Sequence, residues 1–135
     1  MKLTFFYSLL FLTFFSFGQT LKIVVSGIRS ASGTIRIAFY ANSKSFDDEK
    51  PLFIKTEAKT GIVNGMLHIS YPELKTGVYG LAILDDENSN QKMDYGFFLP
   101  KEGFGFSDYY HSGMSRPKFE SFDFTYVQQN LCNTL

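Results

Sequence analysis

The feature that most constrains the fold is an alternation of apolar and polar residues in steps of two along much of the chain. In a β-strand, successive side chains point to opposite faces, so this spacing places one apolar set on a buried face. Val, Ile, Tyr and Phe, which favour strands, supply most of the apolar positions. The alternation predicts strands at residues 21–25, 34–39, 67–71, 79–83 and 122–126. A further strand is predicted at 52–59 and a short one at 95–98.

Turn signals separate these segments. Asn64 and Gly65 form a strong hairpin signal because both residues tolerate positive φ. Only residues 42–50 could hold a helical turn. About seven short antiparallel strands around one core predict an all-β fold, a β-sandwich, with a small barrel as the alternative.

The first 18 residues have a different pattern. Lys2 precedes an almost unbroken apolar run, and Ser16 and Gly18 are small residues at the expected cleavage positions. The run is shorter than the roughly 20 residues that a spanning helix needs, so an N-terminal membrane anchor is the less favoured reading. We therefore predict a signal peptide at 1–18, a single domain at 19–128 and a polar tail at 129–135. The protein is expected to be exported to the periplasm or beyond, without stable membrane insertion after cleavage.

Charge and cysteine content exclude several classes of function. Thirteen basic residues balance thirteen acidic ones, so no basic surface for nucleic acid is expected. The one cysteine, Cys132, cannot form an intramolecular disulfide or a cysteine zinc cluster.

The segment 85–107 interrupts the strand pattern, and its polar half suggests a metal site. Asp86, Asn88, Asn90 and Asp94 fall at relative positions 1, 3, 5 and 9, where oxygen donors occur in helix–loop–helix calcium sites. Gln91 replaces the usual glycine and Phe97 the usual bidentate glutamate, which excludes that standard motif. A Ca²⁺ loop between strands stays open, with Glu102 or Asp85 and the Lys92 carbonyl completing the shell. The alternative is a series of hydrogen-bonded Asx turns without metal.

The second half of this segment is rich in aromatic residues, including Tyr95, Phe97, Phe98 and Phe104. We interpret them as packed against the end of the sandwich. The alternative is an exposed aromatic platform for a sugar ring or a protein partner.

Catalytic motifs are weak. His68 lies on the polar side of a predicted strand, whereas His111 lies between Asp108 and Ser112 in a loop without a nucleophile-elbow motif. No catalytic residue is assigned. A small hydrolase using Glu102 or His111 is kept as an alternative function.

Three segments carry a resemblance to a known family. They are residues 33–40 (GTIRIAFY), 77–88 (GVYGLAILDDEN) and 90–107 (NQKMDYGFFLPKEGFGFS). Together they resemble the family catalogued as domain of unknown function 2141, mostly exported proteins of Bacteroidetes and other bacteria. The family usually has a glycine where Gln91 stands and a histidine where Asp85 stands. The resemblance implies an immunoglobulin-like or prealbumin-like sandwich and no established activity.

The sequence thus favours a non-enzymatic exported module that binds an envelope protein or a glycan, with a calcium loop at 85–107. A structural or assembly domain is a further alternative.

Overall fold

The computed structural model describes residues 19–113 and 115–128. The predicted signal peptide at 1–18 and the polar tail at 129–135 with Cys132 lie outside the described residues. No helix in the described part is long and apolar enough to cross a membrane.

Within the described residues, seven strands form two antiparallel sheets, which confirms the predicted all-β fold. The strands are β1 (Leu21–Val25), β2 (Thr34–Tyr40), β3 (Phe53–Ala58), β4 (Leu67–Tyr71), β5 (Gly77–Asp86), β6 (Gly103–Phe106) and β7 (Asp123–Tyr126). A one-turn helix, α1 (Ser43–Asp47), and a 3₁₀ turn (Phe119–Ser121) complete the elements. The predicted short strand at 95–98 is wrong: Tyr95 forms only an isolated bridge to Pro100, and the strand lies further on, at β6.

β1 and β4 pair as a small sheet, and the larger sheet has the order β3-β2-β5-β6. β5 is its centre because it pairs with β2 along one edge and with both β7 and β6 along the other. β7 pairs with the start of β5 and β6 with its end. The end of β5 and the start of β6 therefore meet at one corner of the sandwich, and the 87–102 segment connects them there.

The main core lies between the two sheets. Ile23 and Ile69 from the small sheet belong to the same buried cluster as Ile35, Ile37 and Phe39 from β2. These are the alternating positions that the sequence predicted, and burying apolar area of this kind is the main stabilising term of folding.

A second, aromatic cluster covers the opposite face of the larger sheet. It consists of Tyr40, Phe46, Phe119 and Phe122. Asn42 caps α1 by accepting a hydrogen bond from Ser45 N at 2.8 Å, which positions Phe46 over the sheet. Phe122 joins this outer cluster, whereas Tyr126 faces the main core. The observed strand β7 begins at Asp123, one residue after the predicted start at Phe122.

The tight turn at Asn64 and Gly65 is confirmed, with φ values of 51° and 71°. Val63 and Met66 exchange two backbone hydrogen bonds of 3.0 Å across it.

Candidate functional site

The corner where β5 ends carries two consecutive buried carboxylates. Asp85 is 7% exposed and Asp86 is fully buried. Asp85 forms an ion pair with the buried Lys59, whose ammonium also donates to the carbonyl oxygens of Ser30 and Ser32. Asp85 Oδ1 has no further partner among the described residues that meets hydrogen-bond geometry, so the contact with Lys59 is electrostatic. Lys59, which directly follows β3, thereby links the segment before β2 to the end of β5.

Asp86 holds the start of the connecting segment. Its Oδ1 accepts a hydrogen bond from Asn90 N at 3.0 Å, and its Oδ2 accepts one from Gln91 N at 2.8 Å. The backbone must curl tightly to bring these amides to one side chain, and Gln91 adopts a left-handed φ of 67°. Glycine suits that φ best, which gives a physical reason for the glycine that the sequence resemblance leads one to expect at this position.

Asn88, Asn90 and Asp94 come together beside Asp86. The side-chain amide of Asn90 donates to both Asp94 carboxylate oxygens, at 3.0 and 3.1 Å, and that of Asn88 donates to Asp94 Oδ2. Asn88 Oδ1 accepts from Asn90 N at 3.0 Å, and Asn90 Oδ1 accepts from Lys92 N at 2.9 Å. The four predicted residues therefore lie within one hydrogen-bonded ring built from Asx turns.

Glu102 clamps the segment from its far end. It is 7% exposed, and its two carboxylate oxygens accept hydrogen bonds from Glu87 N at 3.0 Å and Asp94 N at 3.2 Å. A carboxylate that accepts two backbone amides fixes both chain segments relative to β6. We refer to residues 85–94 together with Glu102 as the polar brace.

The brace has an excess of negative charge at its centre. Asp86, Asp94 and Glu102 accept hydrogen bonds only from backbone and amide N–H groups, and no basic side chain of the described chain pairs with any of them. Across residues 19–113 and 115–128, no three His, Cys, Asp or Glu side chains are arranged to hold a metal ion. Asn88 and Asn90 direct their amide nitrogens, and not their oxygens, toward Asp94.

Beyond the brace, the chain forms a short hairpin that we call the finger, residues 95–100. Tyr95 bridges Pro100, and Gly96 N donates to Leu99 O at 2.7 Å. At its tip Phe97 is 92% exposed and Phe98 79% exposed, and their rings contact each other edge to face at 4.4 Å between centroids. The interpretation of these aromatics as packed against the sandwich is wrong for the finger, because the hairpin projects away from both sheets' cores.

A groove of about 630 Å³ lies between the finger, β6 and the chain that follows β1. Its lining includes the side chains of Arg29, Leu99, Phe104, Tyr110 and His111. Tyr110 is 89% and Phe104 46% exposed, so aromatic faces are accessible along its wall.

Glu102 and His111 both line this groove. The Glu102 carboxylate, however, is occupied by two backbone amides. The His111 ring lies near Phe104, Phe106 and Tyr109, at 6.1, 5.9 and 6.0 Å between centroids. Its buried Nδ1 has no hydrogen-bond partner among the described residues, Asp108 and Ser112 included.

Sequence reasoning missed Lys59 altogether. It lies at the end of a predicted strand, 26 positions before Asp85, and only the pairing of β2 with both β3 and β5 brings the two together. No local signal marks a lysine that will be buried. The sequence did single out Glu102, as a candidate metal ligand or catalytic carboxylate. It did not predict that this carboxylate accepts hydrogen bonds from two backbone amides.

Comparison with known proteins gives one match. No curated protein and no solved structure is similar enough to match the chain. A family model described as "Uncharacterized protein conserved in bacteria (DUF2141)" matches residues 23–132, a span that includes the polar brace, the finger and the groove. The resemblance seen in the sequence is confirmed, and the chain belongs to this bacterial family.

Proposed function

We propose that this protein is an exported, non-enzymatic β-sandwich module that binds a glycan of the cell envelope in the groove. The observation that carries the proposal is the exposure of aromatic rings along a groove that also contains the buried Glu102, whose two carboxylate oxygens each accept a backbone hydrogen bond. Tyr110 and Phe104 expose their faces there, and Arg29 and His111 add polar groups.

This combination suits a sugar ring. One face of a pyranose carries C–H groups that pack on an aromatic ring, while its hydroxyl groups need hydrogen-bond partners. Because the groove is open to solvent, linked sugar rings can continue beyond it, whereas a closed cavity would accept only one small ligand.

The contacts of Glu102 favour binding over catalysis. A general acid or base must reach the proton that it transfers, and both oxygens of this carboxylate already accept backbone amides. Its position in the brace supports a role in holding the groove wall.

The test is a titration with β-linked N-acetylglucosamine and glucose oligosaccharides, followed by NMR chemical shifts. We expect shifts at Tyr109, Tyr110 and His111, and binding about tenfold weaker in Tyr110→Ala because one stacking face is lost. Tyr95→Ala, which removes an exposed ring outside the groove, is the matched control. The glycan assignment would be contradicted if no saccharide shifted these signals at millimolar concentration and the protein instead bound an envelope protein in a manner that depends on Tyr110.

We propose also that Ca²⁺ binds the brace through Asp86, Asn88, Asn90 and Asp94. The support is the gathering of their side chains and the unpaired negative charge of three carboxylates, because calcium takes about six to eight oxygen ligands of this kind. A Ca²⁺ ion bound at the Asp94 carboxylate needs the amide oxygens of Asn88 and Asn90 to face it. Both side-chain amides must therefore rotate, because their N–H groups now face Asp94.

Calorimetry with CaCl₂ tests the ion directly. An affinity on the order of 10⁻⁴ M is expected for two carboxylates and two amides, together with a higher melting temperature at millimolar Ca²⁺. Asp94→Asn should abolish both effects, and Asp48→Asn, at an exposed carboxylate that follows the opposite end of β2, should leave them intact. Absence of heat and of a melting shift in the unaltered protein would refute the calcium proposal.

Export is tested by N-terminal sequencing of protein recovered from the periplasm or the medium. The expected first residue is Gln19, after cleavage behind Gly18. Recovery only in the cytoplasm with residues 1–18 intact would refute it.

A further inference from the structure

The finger places three adjacent large apolar side chains in water. Phe97 is 92%, Phe98 79% and Leu99 63% exposed, although the hairpin that carries them is ordered by backbone bonds. Soluble proteins rarely present a contiguous apolar surface of this kind without a use for it. The groove does not explain the two phenylalanines, since neither of them lines it.

We propose that the finger inserts shallowly into an anionic phospholipid surface and so holds the module against a membrane. The tip rings enter the boundary between headgroups and acyl chains, and the finger does not cross the bilayer. This inference goes beyond the proposed function and does not depend on the groove or on calcium.

The size of the tip argues for a lipid surface over a protein partner. Three side chains of this type present roughly 500 Å², whereas a stable protein interface buries about 800 Å² on each partner. The two tip rings pack edge to face on each other and are 92% and 79% exposed, so a rigid partner would need a socket that encloses them. A bilayer needs no complementary shape, because its acyl region accepts any apolar side chain that reaches it.

The residues at the base of the finger fit the headgroup layer. Tyr95 is 68% exposed and lies at the base, through its bridge to Pro100, where an amphipathic ring is favoured at a membrane interface. The Lys101 side chain runs beside Gly96, since a Cβ added to Gly96 would lie 3.8 Å from Lys101 Cε. The Arg29 guanidinium donates to Lys101 O at 3.3 Å.

The charges near the finger also complement anionic phosphates. Residues 95–101 contain no acidic side chain. The neighbouring carboxylates of Asp94 and Glu102 are turned into the brace, where N–H groups cap them. Lys101 and Arg29 are the exposed basic side chains at the base of the finger, and they attract a negatively charged headgroup layer.

Sedimentation with lipid vesicles tests the proposal on the full exported chain. Vesicles of phosphatidylcholine with about one-quarter phosphatidylglycerol should carry the protein down. The double variant Phe97→Ser/Phe98→Ser should lower the partition coefficient at least about tenfold, because two apolar rings no longer leave water. Lys101→Ala should lower it about fivefold on these vesicles and leave it unchanged on pure phosphatidylcholine.

Val63→Ser is the matched control, because Val63 is 64% exposed at a different tight turn. It should bind vesicles like the unaltered protein. Failure of the unaltered protein to sediment with vesicles would overturn the proposal, as would equal binding by the Phe97/Phe98 double variant. Dimerisation in analytical ultracentrifugation that disappears in the double variant, without any vesicle binding, would also overturn it and assign the finger to contact between copies of the chain.

Discussion

The polar brace and the finger are adjacent in sequence, yet they distribute their side chains in opposite ways. In the brace, the carboxylates of Asp86 and Glu102 are buried. In the finger, Phe97 and Phe98 are almost fully in water. Burial therefore follows hydrogen bonding and strand geometry here, and not side-chain polarity. The comparison teaches that the charged residues have a structural role, whereas the apolar ones are free for recognition.

The brace can bury its charges because each has specific partners. Burying a carboxylate without hydrogen bonds or a counter-ion is costly, but the backbone amides of a curled segment satisfy it. The backbone amides of Asn90 and Gln91 donate to the Asp86 carboxylate. Those of Glu87 and Asp94 donate to the Glu102 carboxylate. Phe97 and Phe98 form the two-residue turn at the tip of the finger. Their rings therefore stay exposed and do not pack into either buried cluster.

The largest effect on the free energy of unfolding should follow removal of the buried Lys59 ammonium. Lys59→Met leaves the Asp85 carboxylate buried without its partner, and we expect the free energy of unfolding to fall by about 3–5 kcal/mol in urea denaturation. Lys44→Met is the matched control, because its ion pair with Asp48 is on the surface, with Lys44 83% exposed, and should change stability by less than about 0.5 kcal/mol. The double variant Lys59→Met/Asp85→Leu should recover most of the loss. Equal effects at Lys59 and Lys44 would break the comparison.

A somewhat smaller effect is expected at Asp86. Asp86→Ala removes the acceptor of two backbone amides, and the free energy of unfolding should fall by about 3 kcal/mol. Asp47→Ala, at an exposed carboxylate of α1, controls for the loss of one negative charge and should have little effect. If Asp86→Ala were as mild as Asp47→Ala, the brace would not be a structural element.

The dependence of stability on alkaline pH tests a residue outside both the brace and the finger, Tyr71. Burial, and then the hydrogen bond that Tyr71 donates to Glu57, raise the pKa of Tyr71 above its ordinary value of 10.0. The unfolded chain therefore loses this proton first as the pH rises through about 10, so the free energy of unfolding should decrease there. Tyr71→Phe should reduce that decrease, although not abolish it, because burial also raises the pKa of Tyr40. An unchanged pH dependence in Tyr71→Phe would refute the assignment.

The smallest effect is expected in the finger. Phe97→Ser and Phe98→Ser remove almost no buried area, so each should change the free energy of unfolding by less than about 0.5 kcal/mol. Thermal and urea denaturation can both measure this. A loss above about 2 kcal/mol at either position would show that the rings are packed in solution, and would remove the contrast with the brace.

The strands were predictable because their side chains alternate between a buried and an exposed face, and that period is visible in the sequence. The spacing of Asp86, Asn88, Asn90 and Asp94 also indicated that these side chains would gather, since Asx residues in series favour turns. What spacing could not decide is whether amide oxygens or nitrogens point inward, because that depends on the partners which folding brings near.

Other features depend on contacts between distant parts of the chain. β6 contains Gly103 and Gly105, which weaken the strand pattern, and it forms because β5 offers an unpaired edge beyond β7. The exposure of Phe97 and Phe98 was likewise hidden, since aromatic side chains are usually buried and only the projecting hairpin keeps these out of a core.

Native-state amide hydrogen exchange, followed residue by residue by NMR, tests the contrast between the brace and the finger most directly. The amides of Glu87, Asn90 and Gln91, which are bonded to buried carboxylates, should exchange slowly, whereas those of Phe97 and Phe98 should exchange at rates close to those of an unfolded peptide. Rapid exchange throughout 87–91 together with protection at 97–98 would contradict the account, because it would place the ordered structure in the finger and not in the brace.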